Sequence, residues 1–347
     1  MKALVYHGPG KKAWEERPRP RIQDDKDAIV KVLKTTICGT DLHIMKGDVP
    51  EVTDGRVLGH EGIGIVEEAG KSVASFKRGD RVLIACITSD GSCEYCKKGM
   101  YSHCLHGGWI LGHTIDGTQA EYVRIPYADT SLYAIPEGIN EDAFVMLSDV
   151  FPTAFECGVL NGQIKPGDTV AIIGAGPIGL AALLTSKFYS PSRIIMIDVD
   201  DGRLAVAKEI GATDTVNSRI NGSAVEKVME LTGERGVDVA IEAVGSPVTF
   251  EICEEIVAPG GHIANIGVFG QSVDLHMEKL WSHNITLTTR LVYTVTTPML
   301  LKSVESGSLH PERLVTHHFA LSDIMNAYET FSHAREEKAL KVVLENR

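Results

Sequence analysis

The sequence predicts an α/β protein of two domains, one β-rich and one built on a doubly wound parallel sheet. Three observations predict it. At 347 residues the chain exceeds the size at which a single hydrophobic core stops growing. Up to about residue 150 it reads as short β-like runs separated by Gly and Asp turns. Beyond Pro152, apolar runs alternate with helix-like segments, the pattern of βαβ units around a parallel sheet.

The elements follow in order. Met1–Tyr6 reads as a strand, and so do Ala28–Leu33, Gly62–Glu67, Arg81–Ala85 and Ala120–Ile125, with no long amphipathic helix among them. Thr169–Ile173 is a short apolar strand that leads into Gly174-Ala175-Gly176-Pro177-Ile178-Gly179 and the helix-like Leu180–Phe188. Arg193–Ile197 is the next strand and Gly202–Ile210 the helix after it. Val237–Ala243, His262–Gly267 and Ile285–Thr289 continue the series. Near the end, Ala339–Leu344 is strand-like again and can return to the first domain. The expected division is 1–151 with 291–347 for the β-rich domain and 152–290 for the parallel sheet.

Composition narrows the function. Hydrophobic content of 44% and charged content of 23% are ordinary for a soluble globular chain. A net charge of −12 argues against a nucleic-acid partner or an anionic membrane surface unless the fold assembles a local basic patch. The densest basic run is Lys97-Lys98. No apolar stretch is long enough to span a bilayer, and Met1–Tyr6 has no signal-peptide pattern. Seven cysteines without an export signal favour reduced thiols, some of them metal ligands, and a cytoplasmic place.

The G-x-G-x-x-G at Gly174, Gly176 and Gly179 is weak evidence by itself, but here it follows a strand and opens a helix. Gly174 allows the tight turn, Gly176 lets backbone approach a pyrophosphate, and Gly179 lets the helix pack on the strand. Pro177 and Ile178 begin that helix, whose N-terminal N–H groups suit an anion. Asp198 closes the next strand, where a carboxylate accepts hydrogen bonds from both ribose hydroxyls of NAD and repels the 2′-phosphate of NADP. The competing role for Asp198 is to cap the helix near Gly202, a role that better suits Asp200.

Gly59-His60-Glu61-Gly62-Ile63-Gly64, continuing to Gly70 and Val73, matches G-H-E-x₂-G-x₅-G-x₂-V. With the glycine loop downstream, nearly the whole chain resembles the zinc-dependent alcohol dehydrogenases of the medium-chain dehydrogenase/reductase superfamily, especially bacterial secondary alcohol dehydrogenases. The resemblance implies a GroES-like β-rich catalytic domain plus a Rossmann domain, with the active site in the cleft between them. It implies a catalytic zinc held by Cys38, His60 and Asp149, with Cys157 a weaker candidate for the third ligand. A thiolate, an imidazole and a carboxylate leave a fourth tetrahedral position for an alcohol or ketone oxygen. For Glu61 it implies an intermittent ligand or a carboxylate that holds a neighbour.

By the same resemblance, the Thr40 hydroxyl takes the alcohol proton, which leaves through the ribose and His43 to solvent. Taken alone, Thr40 reads as a strand-end residue and His43 as an ordinary exposed imidazole. Asp90, Cys93, Cys96 and Cys104 align with the structural-zinc pattern C-x₂-C-x₂-C-x₇-C, with Asp90 at the first Cys position. The alternative is a zinc-free loop with three spare thiols. Cys86 and Cys253 read as buried. Trp109 matches a pocket tryptophan, with Leu291 beside it, though Trp109 also reads as a core or interface residue. Arg203 is expected near the adenosine and Lys341 at the pyrophosphate, with surface solvation the alternative for both.

The function these residues imply is NAD-dependent interconversion of secondary, and some primary, alcohols with ketones or aldehydes. The partners implied are a small-molecule substrate and other copies in a homotetramer, with no nucleic acid and no membrane. A formaldehyde or polyol dehydrogenase shares all this machinery. A zinc-free quinone reductase or a crystallin-like binding protein would keep the fold without the metal ligands.

Overall fold

The computed structural model describes the chain except residues 137, 139, 221, 222 and 347. It divides into one unit of Met1–Asp149 with Tyr293–Arg347 and a second of Val150–Val292. In the first unit, Ala28–Thr36 lies inside a seven-stranded sheet ordered Val315–Ala320, Lys341–Glu345, Ala28–Thr36, Gly62–Ala69, Arg81–Ile84, Leu132–Ala134. Tyr122–Ile125 also pairs with Ala28–Thr36. The terminal strand Lys341–Glu345 runs antiparallel to Ala28–Thr36, with Val343 opposite Thr36, so the tail is built into the β-rich unit. Three further strands, Lys12–Glu16, Lys2–Tyr6 and Arg56–Val57, form a small separate sheet.

One short helix in this unit had no counterpart in the sequence reading. Gly39–Lys46 buries only Asp41 and Ile44, and eight residues are too few for helical periodicity to register. Ile37 and Ile44 lie in a core with Leu4, Leu58, Tyr328 and Leu344. Burial of each such side chain contributes about 1.5–3 kcal/mol. That packing fixes the helix carrying Thr40 and His43.

The second unit holds a six-stranded sheet, parallel throughout. Its order is Asp214–Asn217, Arg193–Asp198, Thr169–Ile173, Val237–Glu242, Val257–Asn265, Thr286–Thr289. Thr169–Ile173 is buried along its whole length, which explains why it reads as an unbroken apolar run. The chain moves outward from Thr169–Ile173 in one direction and resumes on its other side with Val237–Glu242, which makes a topological switch point. The glycine loop follows Thr169–Ile173 directly. Thr286–Thr289 forms the outer edge, largely exposed. Among the described residues, no helix is long and apolar enough to cross a membrane.

Candidate active site

Cys38, His60, Glu61 and Asp149 bring their ligand atoms within 4.8 Å of one another. Cys38 sits at the N-cap of helix Gly39–Lys46, and its N–H donates to Asp41 Oδ2 at 2.9 Å. Its Sγ lies 3.7 Å from Thr40 Oγ1 and 3.9 Å from Asp149 Oδ2. Thr40 is therefore a first-turn helical residue beside the cluster rather than a strand end. His60 Nε2 is 3.3 Å from Asp149 Oδ2. Burial pushes the Cys38 thiol up, and Glu61 adds to that. Burial also opposes the imidazolium of His60, but Asp149 and Cys38 outweigh it and hold its pKa well above the usual value. So much negative character gathered out of water is the environment a cation would neutralise.

Behind the cluster runs a chain that sequence reasoning did not find. Tyr328 donates its hydroxyl to Gln119 Oε1 at 2.8 Å, and Gln119 Nε2 donates to Asp41 Oδ2 at 2.9 Å. Asp41 in turn accepts from the Cys38 N–H, so the thiol's position is fixed from the far end of the sequence. No local pattern signals contacts of such separation.

Glu61 is 1% exposed and paired with Lys341, itself 2% exposed, at 2.7 Å. Thr36 also donates its hydroxyl to Glu61. Burial works against the Lys341 ammonium, but Glu61 outweighs it and keeps the proton in place. The ammonium expected on a pyrophosphate is thus engaged with a buried carboxylate, and surface solvation does not describe it. Replacing Lys341 by Met should strand that carboxylate, and breaking a buried pair costs about 3–5 kcal/mol. Urea unfolding should show a lower midpoint for Lys341→Met and recovery in the double variant Lys341→Met/Glu61→Gln. An unchanged midpoint in the single variant would mean that the pair adds nothing.

His43 Nδ1 lies 2.9 Å from Asp48 Oδ2 and is partly exposed. Trp109 meets His60 edge-on, with ring centroids 6.3 Å apart, and stacks on His113 at 4.3 Å. It therefore borders the cluster. Leu291 is 43% exposed and belongs to the second unit.

A second cluster gathers Asp90, Cys93, Cys96 and Cys104 within the same limit. Asp90 Oδ1 accepts the N–H groups of Ser92 and Cys93, and His106 Nδ1 lies 2.6 Å from Oδ2. Burial would raise the Asp90 carboxyl, but His106 and these N–H groups hold it well below the usual carboxylate range. The N–H of Cys96 pulls the Cys93 thiol down to about 7. Neither cluster includes Cys157, which is buried within the π-helical turn Ala154–Leu160. Cys86 and Cys253 are buried, as expected.

In the second unit, Gly174 has φ +106°, a conformation that favours glycine, and an added Cβ there would crowd Ala243 and Val244. At Gly176 an added Cβ would meet nothing closer than Arg203 Nη1 at 3.9 Å, so the backbone is open to a ligand. Gly176 caps helix Pro177–Ser186, with Pro177 in its first turn and Ile178 and Gly179 following. Asp198 Oδ2 accepts the Ala175 N–H at 2.6 Å, while Oδ1 accepts from Val199 and Asp200. The helix after it is capped by Asp200, whose side chain accepts from the Arg203 N–H.

One unit with a parallel sheet and a glycine loop at its switch point, and another, β-rich unit carrying Cys/His/Asp, define the class of two-domain zinc-type dehydrogenases. The comparisons agree. The alcohol dehydrogenase GroES-like domain family matches residues 24–137 and the zinc-binding dehydrogenase family matches 177–306. An alcohol dehydrogenase of Cupriavidus necator is 37% identical over 97% of this chain and 96% of its own. Among solved structures, zinc-dependent alcohol dehydrogenase 2 from Streptococcus pneumonia, in its apo form, superposes with a TM-score of 0.96 at 54% identity. That match covers 100% of this chain and 98% of the other. Alcohol dehydrogenase TADH from Thermus sp. ATN1 gives 0.92 at 34%, covering 100% of both chains. The chain belongs to the zinc-type alcohol dehydrogenase family of the medium-chain dehydrogenase/reductase superfamily, and is an oxidoreductase.

Proposed function

We propose that the protein interconverts secondary, and some primary, alcohols with ketones or aldehydes, using NAD and a catalytic zinc. The observation that carries this reading is the convergence of Cys38, His60 and Asp149 within 4.8 Å. One soft thiolate, one imidazole and one carboxylate fit zinc with a position left open. When bound, zinc lowers the pKa of an alcohol hydroxyl or polarises a ketone, and NAD accepts or returns the hydride. The chain's own residues do the rest. Thr40, beside Cys38, accepts the substrate's hydroxyl proton, and His43, partly exposed on Asp48, passes it to solvent. Glu61, held by Lys341, is the carboxylate that can approach or leave the cluster. Trp109 bounds the substrate beside His60, with Leu291 a further lining candidate.

Gly174, Gly176, Pro177, Ile178 and Gly179 receive the pyrophosphate, Asp198 the ribose, and Arg203 the adenosine side. We also read the protein as a homotetramer. The open edge Thr286–Thr289, with Trp281 75% and Met277 55% exposed nearby, suits pairing with a second copy. None of the seven cysteines is joined in a disulfide, which supports a cytoplasmic place.

Metal analysis with a substrate panel tests the reading. Purified protein should carry ~2 zinc ions, one per cluster, and turn over simple secondary alcohols faster than sorbitol or formaldehyde adducts. Zinc-free protein that reduces quinones would overturn it, and a preference for polyols or formaldehyde would move the substrate within the family.

The second cluster is proposed as a structural zinc site in which Asp90 supplies oxygen in place of sulfur. Replacing Asp90 by Cys should slow zinc loss to a chelator and raise the melting temperature, because metal binding there is coupled to local folding. Unchanged stoichiometry and melting temperature would remove Asp90 from the metal site.

A further inference from the structure

Five arginines, Arg17, Arg19, Arg21, Arg56 and Arg124, line one cavity of about 920 Å³ in the first unit. Glu68 and Asp116 are the acids that share its wall, so positive charge is in excess there. The chain as a whole carries −12, so this concavity runs against its overall field. None of its lining residues belongs to either metal cluster.

Local sequence explains how the charges are held. In Arg17-Pro18-Arg19-Pro20-Arg21, each proline fixes its own φ and drives the preceding arginine into extended backbone. The guanidinium groups are thereby carried on a segment with little freedom left to lose, and a ligand binding to them meets a prearranged surface. Alternation with proline also hides the cluster from a search for contiguous basic runs.

Not all of this charge is neutralised within the protein. Arg56 lies 3.3 Å from Asp116 and Arg124 3.1 Å from the buried Asp27. Arg19 sits 4.0 Å over the Tyr122 ring and 3.6 Å from Glu67. Arg17 donates to the Gly55 carbonyl at 3.1 Å, and among the described residues neither it nor Arg21 forms an ion pair with a carboxylate. The guanidinium forks that line the cavity match the geometry of phosphate oxygens.

We propose that this cavity binds a small molecule bearing two or more phosphate groups, at a site separate from the dehydrogenase centre. A single phosphate would satisfy one fork, whereas the arginines line the cavity from several segments. A nucleic-acid strand is disfavoured by the chain's overall charge of −12 and by the concave form of the site.

The test uses zinc-loaded enzyme and isothermal titration at low salt, without and then with NADH, since NADH itself carries two phosphates. A bisphosphate isotherm seen without NADH and lost on substituting a cavity arginine reports the cavity rather than the glycine loop. Fructose 1,6-bisphosphate is the probe, inorganic phosphate is the single-phosphate arm, and ADP tells a nucleotide from a sugar phosphate. The bisphosphate should bind one per chain, more tightly than phosphate by about tenfold, since charge-assisted bidentate contacts are the strong ones. Binding should weaken with salt. Arg17→Ala and Arg21→Ala should each weaken it by about fivefold or more, while Arg235→Ala, in the second unit and paired with Asp238, leaves it unchanged. Arg21 is exposed, so its variant should keep wild-type NADH affinity and melting temperature and serves as the test if Arg17→Ala folds poorly. No saturation, equal binding of phosphate, or bisphosphate binding indifferent to both substitutions would overturn the proposal.

Discussion

Replacing Cys38 or His60 by alanine is expected to abolish turnover while leaving NADH binding intact. The two properties reside in different units, with the ligand cluster in Met1–Asp149 and the glycine loop in Val150–Val292. Lewis-acid polarisation is worth several kcal/mol in the transition state, and each 1.36 kcal/mol is tenfold in rate, so about a thousandfold loss or more is expected. Zinc content should fall in parallel, because two remaining donors hold the ion weakly. Cys157→Ala supplies the contrast, since Cys157 lies outside both clusters and its loss should leave stoichiometry unchanged. NADH binding, followed by fluorescence, checks that each variant is folded. If Cys38→Ala kept even about a tenth of wild-type kcat, the assignment of the catalytic metal would be wrong.

That cluster was legible in the sequence, and the reason is specific. His60 and Glu61 sit in the glycine-rich signature that carries the family resemblance, and that resemblance implied Cys38 and Asp149 as their partners. The parallel sheet was legible because buried strands such as Thr169–Ile173 are continuous apolar runs. Asp200 as a helix cap was legible because capping is local.

Interactions that join distant segments were not. Lys341 reads only as a basic residue near the terminus, and nothing local says that its ammonium is enclosed against Glu61. The chain from Tyr328 through Gln119 and Asp41 to Cys38 likewise depends on strands and helices meeting in space. Helix Gly39–Lys46 was passed over because its brevity leaves no periodicity to read. The arginine-lined cavity was passed over because prolines interrupt the run and Arg56 and Arg124 arrive from other strands.

Cofactor choice is expected to rest on Asp198, and the placement of its carboxylate sharpens that expectation. The helix behind it is capped by Asp200, so capping gives no account of Asp198. Its Oδ2 accepts the Ala175 N–H inside the glycine loop, which aims the carboxylate at the loop that would hold the dinucleotide. Vicinal ribose hydroxyls would offer it charge-assisted hydrogen bonds, among the stronger polar contacts. The 2′-phosphate of NADP would set like charges together, at a cost of several kcal/mol. With 1.4 kcal/mol per factor of ten, wild-type enzyme should favour NAD by at least ~100-fold in kcat/KM. Asp198→Gly removes attraction and repulsion together, so NAD should weaken and NADP should enter, with Arg203 near Gly176 as a phosphate partner. That variant also loses three backbone contacts. Asp198→Asn drops the charge but keeps one acceptor oxygen, so it should narrow the preference while retaining only part of those backbone contacts. Steady-state kinetics with both cofactors decide the matter. Equal use of NADP by the unmodified enzyme would leave Asp198 as a brace for the Ala175 N–H and nothing more.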